Sequence, residues 1–370
     1  MSWVPRFPEV KAALRLTNGG FGSLISTGAL GSLISLLTVG HIVHKIGAKK
    51  VLHVASFFLM ATLIILSSTH SAVIFFFANI VFGAAISAFH IAINSQGFNY
   101  QDRTGKFVIT QLSGIWSAGA LITAFISGFL IDRVSLHIHI AVLVIFIFII
   151  QTLLLNGLSP ALLKANQNLD IEYKLKELFS GFSFDRLTSF GLICAIFLEF
   201  ALSDWATIYT KEEIGINSGL NTLPFILFTT TMIIGRITIH YLLPRFTLER
   251  LAVYGSLIAG TSFLTSVFLA RSIFANNYNY AFLIICIGFS MAGLGSSFLG
   301  PTFMTAANAR SKHPASVVIG HVGVGNIILA FILKWVVAWT AQATSLTIGL
   351  LIPGILLLTV PFFAKSLKSV

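Results

Sequence analysis

Long apolar runs broken by short polar intervals set the rhythm of this chain. The runs cover Gly19–Ile42, Val51–Ser68, Val73–Ser95, Phe107–Ile131, Ile138–Asn156, Ser189–Tyr209, Leu220–Leu243, Leu251–Ala270, Tyr280–Ala307, Ser316–Thr340 and Leu346–Ala364. At 1.5 Å per helical residue, roughly 20 residues cross a hydrocarbon core about 30 Å thick. The pattern predicts an all-α, polytopic membrane protein with about 11 transmembrane helices.

The polar intervals then divide the chain. Met1–Thr17 holds two prolines and three basic residues, and lacks both a signal peptide's apolar stretch and a spanning helix. The longest interval, Gly157–Thr188, contains Asn168–Phe179, whose Leu169, Tyr173, Leu175 and Leu178 alternate with charges as in a short amphipathic helix lying on a membrane surface. This interval reads as the join between two helical halves, residues 1–156 and 189–370, with 157–188 a cytoplasmic central loop. The halves share a feature. Gly40–Leu52 and His240–Leu251 each join two apolar runs, and Lys45 and Lys50 match Arg245 and Arg250 when the numbering is shifted by 200. Two equivalent helical bundles with a seam between them are the architecture of a secondary transporter.

Composition agrees with a lipid setting. The 370 residues are 56% hydrophobic and 9% charged, with 34 Phe, against about 25% charged residues in soluble domains. The net charge of +11 is scattered between apolar runs, so it orients helices and does not form a nucleic-acid surface. Fifteen Lys and Arg fall in the intervals on the side of Lys45, Arg103 and Arg310, against six on the side of Arg6, Arg133 and Arg271. The first side is therefore cytoplasmic, with the amino terminus outside and the carboxyl terminus inside. Cys194 and Cys286 sit inside apolar runs at no metal or redox spacing and read as core thiols.

Charge inside a bilayer is costly and marks function or a partner. Glu199 lies midway along Ser189–Tyr209, and Asp204 five residues on is turned about 140° away, so the two face different surroundings. Glu199 is the deeper and is the candidate proton-coupling carboxylate; an ion pair with Arg236, deep in Leu220–Leu243, is the competing reading. Asp204, beside Trp205, reads as a gate or packing residue. His90 and Asn94 share a helix face, and Gln111 with Trp116, and His321 with Asn326, are two polar pairs at equal spacing in the two halves. These side chains point to a cavity that binds a polar solute or, equally, to hydrogen bonds between helices. No phosphate-cradling loop, His-Glu-x-x-His or Gly-x-Ser-x-Gly occurs, so neither ATP-driven pumping nor hydrolysis is indicated. No cofactor and no metal are expected, His137 and His139 being two ligands without a third.

Four stretches carry a resemblance. Gly40, Lys45, Gly47, Lys49 and Lys50 fit the loop signature of the major facilitator superfamily, with His44 where that signature has Asp. Ser2–Leu16, with Trp3, Arg6 and Pro8, Asn94–Gly97 with Gln111–Gly119, and Glu199–Trp205 with Gly235 and Arg236 are similar to a bacterial branch related to fucose and other sugar/proton symporters. The resemblance implies 12 helices in two six-helix halves, alternating access and a plasma-membrane location. Because Ser2–Leu16 is similar to the segment after the branch's first helix, about 11 of 12 helices are expected here. The family often has Asp where His90 stands, which makes His90 a second proton-coupling candidate.

The resulting expectation is a secondary transporter, not an enzyme, that moves a small polar, sugar-like solute by proton-coupled alternating access. Its partners would be that solute, protons and the lipid bilayer, with no nucleic acid and a monomer as the working unit. Glu199 and His90 would couple protons, Asn94, Gln111, Trp116, His321 and Asn326 would bind solute, and Gly40, His44, Lys45, Gly47, Asp204 and Arg236 would gate. Export of amphipathic compounds, and a receptor or scaffold that does not transport, are the alternatives.

Overall fold

A computed structural model describes residues 2–104, 108–157, 185–216, 219–274, 277–310 and 315–369. Among the described residues every regular element is a helix, and ten stretches are long and apolar enough to cross a membrane, with Ile115–Leu130 a shorter apolar helix beside them. In lipid each backbone N–H and C=O must be paired within the segment, which leaves a helix as the only option for such runs. The helices are α1 (Phe7–Ala13), α2 (Asn18–Ser26), α3 (Gly28–Ile46), α4 (Ala48–Ser68), α5 (Ala72–Thr104), α6 (Val108–Leu130), α7 (Leu136–Gly157), α8 (Arg186–Glu212), α9 (Leu223–Leu242), α10 (Leu248–Phe274), α11 (Tyr278–Ser296), α12 (Leu299–Arg310), α13 (Ala315–Ala343), α14 (Leu346–Leu358) and α15 (Val360–Phe363).

Three apolar runs are interrupted where hydropathy alone shows no break. The first splits at Thr27 into α2 and α3, the ninth at Ser297–Phe298 into α11 and α12, and the last before Pro361 into α14 and α15. At Thr27 the carbonyls freed by the break are recovered by one side chain. Asn79 Nδ2 donates to Leu24 O at 2.9 Å, Ile25 O at 3.0 Å and Thr27 Oγ1 at 3.1 Å. A buried carbonyl left unpaired would cost about 1–3 kcal/mol.

The chain forms two compact units. One comprises Met1–Ser23, Leu121–Arg133 and Ser183–Val370, the other Leu24–Ala120 and Val134–Phe182. The smaller unit is held by the approach of α3 to α5. A Cβ on Gly31 would lie 1.8 Å from Ile80 O, and one on Gly83 would lie 1.9 Å from Gly28 O, so the two backbones touch. Ser32 and Ser35 donate to Gly83 O and Ala84 O from the same seam, at 3.1 and 2.7 Å.

The larger unit is built around α8. Its apolar window is 67% buried, against 22% for α7, because it is apolar on nearly every side and surrounded by helices. Its N-cap is Asp185, which accepts from Leu187 N. Its far end reaches the carboxylate of Glu213, which accepts from Leu346 N at 2.6 Å and Thr347 N at 3.2 Å and so caps α14.

Ser2–Leu16 forms a short helical stretch packed into the larger unit, with Trp3, Val4, Phe7, Val10 and Leu14 buried. Arg6 can be buried too because Glu9 takes it bidentately, both contacts at 2.7 Å. Trp3, Phe7, Phe21 and Trp205 form a column of edge-to-face rings with centroid spacings of 4.9, 5.6 and 6.1 Å. Asn168–Phe179 lies outside the described residues.

Candidate functional site

Within the larger unit, the middle and carboxyl-terminal half of α8 are sealed except along one stripe. From Gly191 to Thr210 only Ile196, Glu199, Phe200 and Ser203 are partly exposed. Their spacing of three, one and three residues puts them on a single face. Two ion pairs flank that stripe. On one side Arg236 of α9 places Nη2 3.3 Å from Glu199 Oε2; on the other Lys334 of α13 places Nζ 2.8 Å from Asp204 Oδ2 and 5.6 Å from the centroid of the Phe200 ring. The 140° separation read between Glu199 and Asp204 thus sends them to different helices.

The two pairs differ in character. Asp204 and Lys334 side chains are 10% and 22% exposed, whereas Glu199 and Arg236 are 37% and 35% exposed. The first is a closed contact and the second an open one, longer than the roughly 2.8 Å usual for a charge-assisted bond. Arg236 is nevertheless firmly seated. Its Nε donates to Ser297 O at 3.0 Å, at the break between α11 and α12, where the carbonyl is available. That approach requires Gly235, since a Cβ there would lie 2.2 Å from Ser297 Oγ and 2.9 Å from Leu294 O. The neighbouring glycines of α11 are likewise places of close contact: a Cβ on Gly293 would lie 2.2 Å from Phe228 O, and one on Gly295 2.5 Å from Gly255 O.

In the smaller unit His90 of α5 meets Trp116 of α6, ring centroids 4.5 Å apart at 67°. Asn94 is half-buried one turn along the same face. The structure thus joins two residues that the sequence placed separately among coupling and binding candidates. Asn326 of α13 is buried, with Nδ2 donating to Val322 O at 2.8 Å; its Oδ1 has no hydrogen-bond partner among the described residues. The side chains of Gln111, His321 and His44 lie outside the described residues.

The signature segment is tighter than a loop. Helix α3 runs through Gly40 to Ile46 and α4 starts at Ala48, with Gly47 alone between them at φ 86°, the left-handed region that glycine enters without cost. Lys45 is exposed, while Val39, Val43, Ala48, Val51 and Leu52 form a buried cluster with Ala92 and Leu155. The matching interval in the second half, between α9 and α10, spans five residues. At the start of α8, Arg310 Nε donates to Asp185 Oδ2 at 2.8 Å. Burial pushes the Asp185 carboxyl up, but the hydrogen bond and charge of Arg310, helped by Thr188 and the Leu187 N–H, hold it below its ordinary value.

Sequence reasoning missed Lys334. The rule that singled out Glu199, an ionisable group inside an apolar run, applies equally to it, and it supplies the partner that Asp204 lacked. The deep seating of Arg6 was also missed, since its pairing with Glu9 three residues on is a local signal.

The comparisons with known proteins follow the same lines. The family model described as Major Facilitator Superfamily matches residues 4–333. An uncharacterised MFS-type transporter of Yersinia pestis is 23% identical over 99% of this chain and 91% of its own length, and an uncharacterised transporter of Sinorhizobium fredii is 21% identical over 100% and 94%. Among solved structures, the nucleoside transporter NupG superposes with a TM-score of 0.72 at 14% identity, covering 99% of this chain and 95% of that one. A D-xylose-proton symporter gives 0.76 at 12% identity, covering 100% and 96%. At these identities the solved structures establish a shared fold, and the family model, matching 330 of the 370 residues, establishes descent: the chain belongs to the Major Facilitator Superfamily and is a multi-pass membrane transporter.

Proposed function

We propose that this transporter moves a small polar solute across a bacterial plasma membrane by alternating access, coupled to protons through Glu199. The observation that carries this reading is the open Glu199–Arg236 pair midway along the most buried span. A carboxylate midway along a membrane span is held as an ion by a neighbouring cation, and taking up a proton frees that cation to repack. Protonation therefore changes what holds α8 to α9, which is the kind of two-state contact that alternating access needs. The xylose symporter in its name couples solute to protons, which supports the reading by likeness of fold.

His90 against Trp116 is a second candidate for the same proton, and Asn94, Gln111, Trp116, His321 and Asn326 supply amides and a flat ring suited to a hydroxyl-bearing solute. Gly40, His44, Lys45 and Gly47, with Asp204, are proposed to shape the closing ends of the path. The test is uptake into liposomes holding the purified protein under an imposed pH gradient. Wild type accumulates solute from a panel of sugars, amino acids and organic acids. Glu199→Gln keeps solute exchange and loses gradient-driven accumulation, and retained accumulation would contradict the reading.

A further inference from the structure

Resting on that transport reading, a feature of the Glu199–Arg236 pair narrows the solute class. Arg236 has five N–H donors in a planar fork. Nε is committed to Ser297 O, and Nη2 reaches Glu199 Oε2 at 3.3 Å and Met232 Sδ at 3.6 Å. Nη1 has no partner among the described residues, and a third of the side chain is open. The guanidinium is thus anchored at its base and presents an under-used Nη edge to the open stripe of α8. That edge is the geometry that takes a carboxylate with two parallel bonds. Beside it along the stripe lie the Phe200 ring, with Lys334 over it, and Ser203.

Charge counting decides between solute classes. With Glu199 ionised the pair sums to zero. When Glu199 binds a proton, an O–H bond forms on its carboxyl, the contact to Arg236 Nη2 is lost, and one positive charge stands uncompensated in the span. A neutral sugar leaves it so, whereas a solute carboxylate restores zero charge. We propose that the transported solute is a small monocarboxylate that replaces Glu199 on the Nη edge of Arg236, its apolar or flat part resting at Phe200. Proton and carboxylate then enter together and leave together, and the cycle moves no net charge.

The other charged groups on elements packed against α8 do not supply a substitute counter-ion. Lys334 and Asp204 neutralise one another on its other flank, Arg310 pairs with Asp185 at its amino-terminal start, and Lys11 with Glu212 and Arg271 with Glu213 sit at its far end. Arg6 is held by Glu9.

The experiment is ligand-induced thermal stabilisation of the purified full chain in detergent, at about pH 5.5 and about pH 8, with gluconate, lactate and benzoate each set against its amide. The expected result is binding of at least one carboxylate at the lower pH, about tenfold or more tighter than its amide, the discrimination of a charge-assisted pair. Glu199→Gln, which mimics the protonated state, binds that carboxylate at least as tightly and loses the pH dependence. Arg236→Gln loses binding, and Arg236→Lys, which keeps the charge for buried pairing, weakens it without abolishing it. Stabilisation by neutral sugars alone, equal binding of acid and amide, or loss of binding in Glu199→Gln overturns the proposal. In liposomes, gradient-driven flux of a neutral solute that carboxylates do not inhibit overturns it and leaves the transport reading standing. Absence of flux for every solute tested overturns the transport reading itself.

Discussion

Replacing Lys334 by Met tests the closed ion pair on α8. Lys334 Nζ and Asp204 Oδ2 are 2.8 Å apart, with side chains 22% and 10% exposed. At that separation and an effective dielectric of about 20, Coulomb's law gives an attraction of about 6 kcal/mol, most of which offsets the desolvation of the two charges. Removing one partner leaves the other charge buried alone, at a cost of about 3–5 kcal/mol. Lys334→Met and Asp204→Asn should each destabilise by about that amount, while the double variant, with no charge left to strand, should recover most of it and lie within about 1 kcal/mol of wild type. The assay is thermal unfolding in detergent, followed with a thiol-reactive dye. Cys194 and Cys286 are free and buried, so they label only as the fold opens. A double variant as unstable as the two single losses added together would refute the reasoning, because the residues would then contribute independently and not as a pair.

Three further predictions rest on separate contacts. Gly235→Val should unseat Arg236 from Ser297 O and lower stability by roughly 3 kcal/mol, the upper end of overpacking costs, with a fall in gradient-driven uptake; unchanged unfolding and uptake would show that the 2.2 Å approach is not needed. Glu199→Gln should separate exchange from accumulation as described above, read in liposomes with and without the pH gradient. Because the Asp185 carboxyl is held below its ordinary value of 3.8, its contact with Arg310 contributes above that range and is lost as the pH falls through the lower folded value. Arg310→Gln should therefore lower stability by a constant amount above that range and flatten the acid limb of the profile, and an unaltered acid limb would count against the pair.

Much of the architecture was legible because lipid imposes one rule on every span. Apolar runs of about 20 residues must be helices, so the positions of α4, α7 and α10 follow from hydropathy. Gly47 stood out only as a match to the loop signature, and its left-handed joint at φ 86° came from the structure. The breaks at Thr27 and Ser297–Phe298 were not legible, because the runs stay apolar through them and the compensating groups come from elsewhere in the chain. Asn79 lies 52 residues from Thr27, and Arg236 lies 61 from Ser297. The burial of Ser2–Leu16 was hidden because Arg, Glu and Pro score as surface residues, although Arg6 and Glu9 cancel each other's charge.

The candidate site divides in the same way. Glu199 and Arg236 stood out as ions in apolar runs and proved to be partners. Asp204 stood out too, but its partner Lys334 is 130 positions away and no periodicity links them. The pairing of His90 with Trp116 depends on how α5 and α6 pack, which neither helix encodes alone.

The central claim is that the open face of α8 borders water and not acyl chains. Ser203→Cys in native membranes, probed with a membrane-impermeant charged thiol reagent, tests it most directly, since the buried native cysteines give little background. The account predicts labelling at Ser203→Cys that slows when a transported solute is present. Labelling only by an uncharged, lipid-soluble reagent would place Glu199 and Arg236 toward lipid and contradict it.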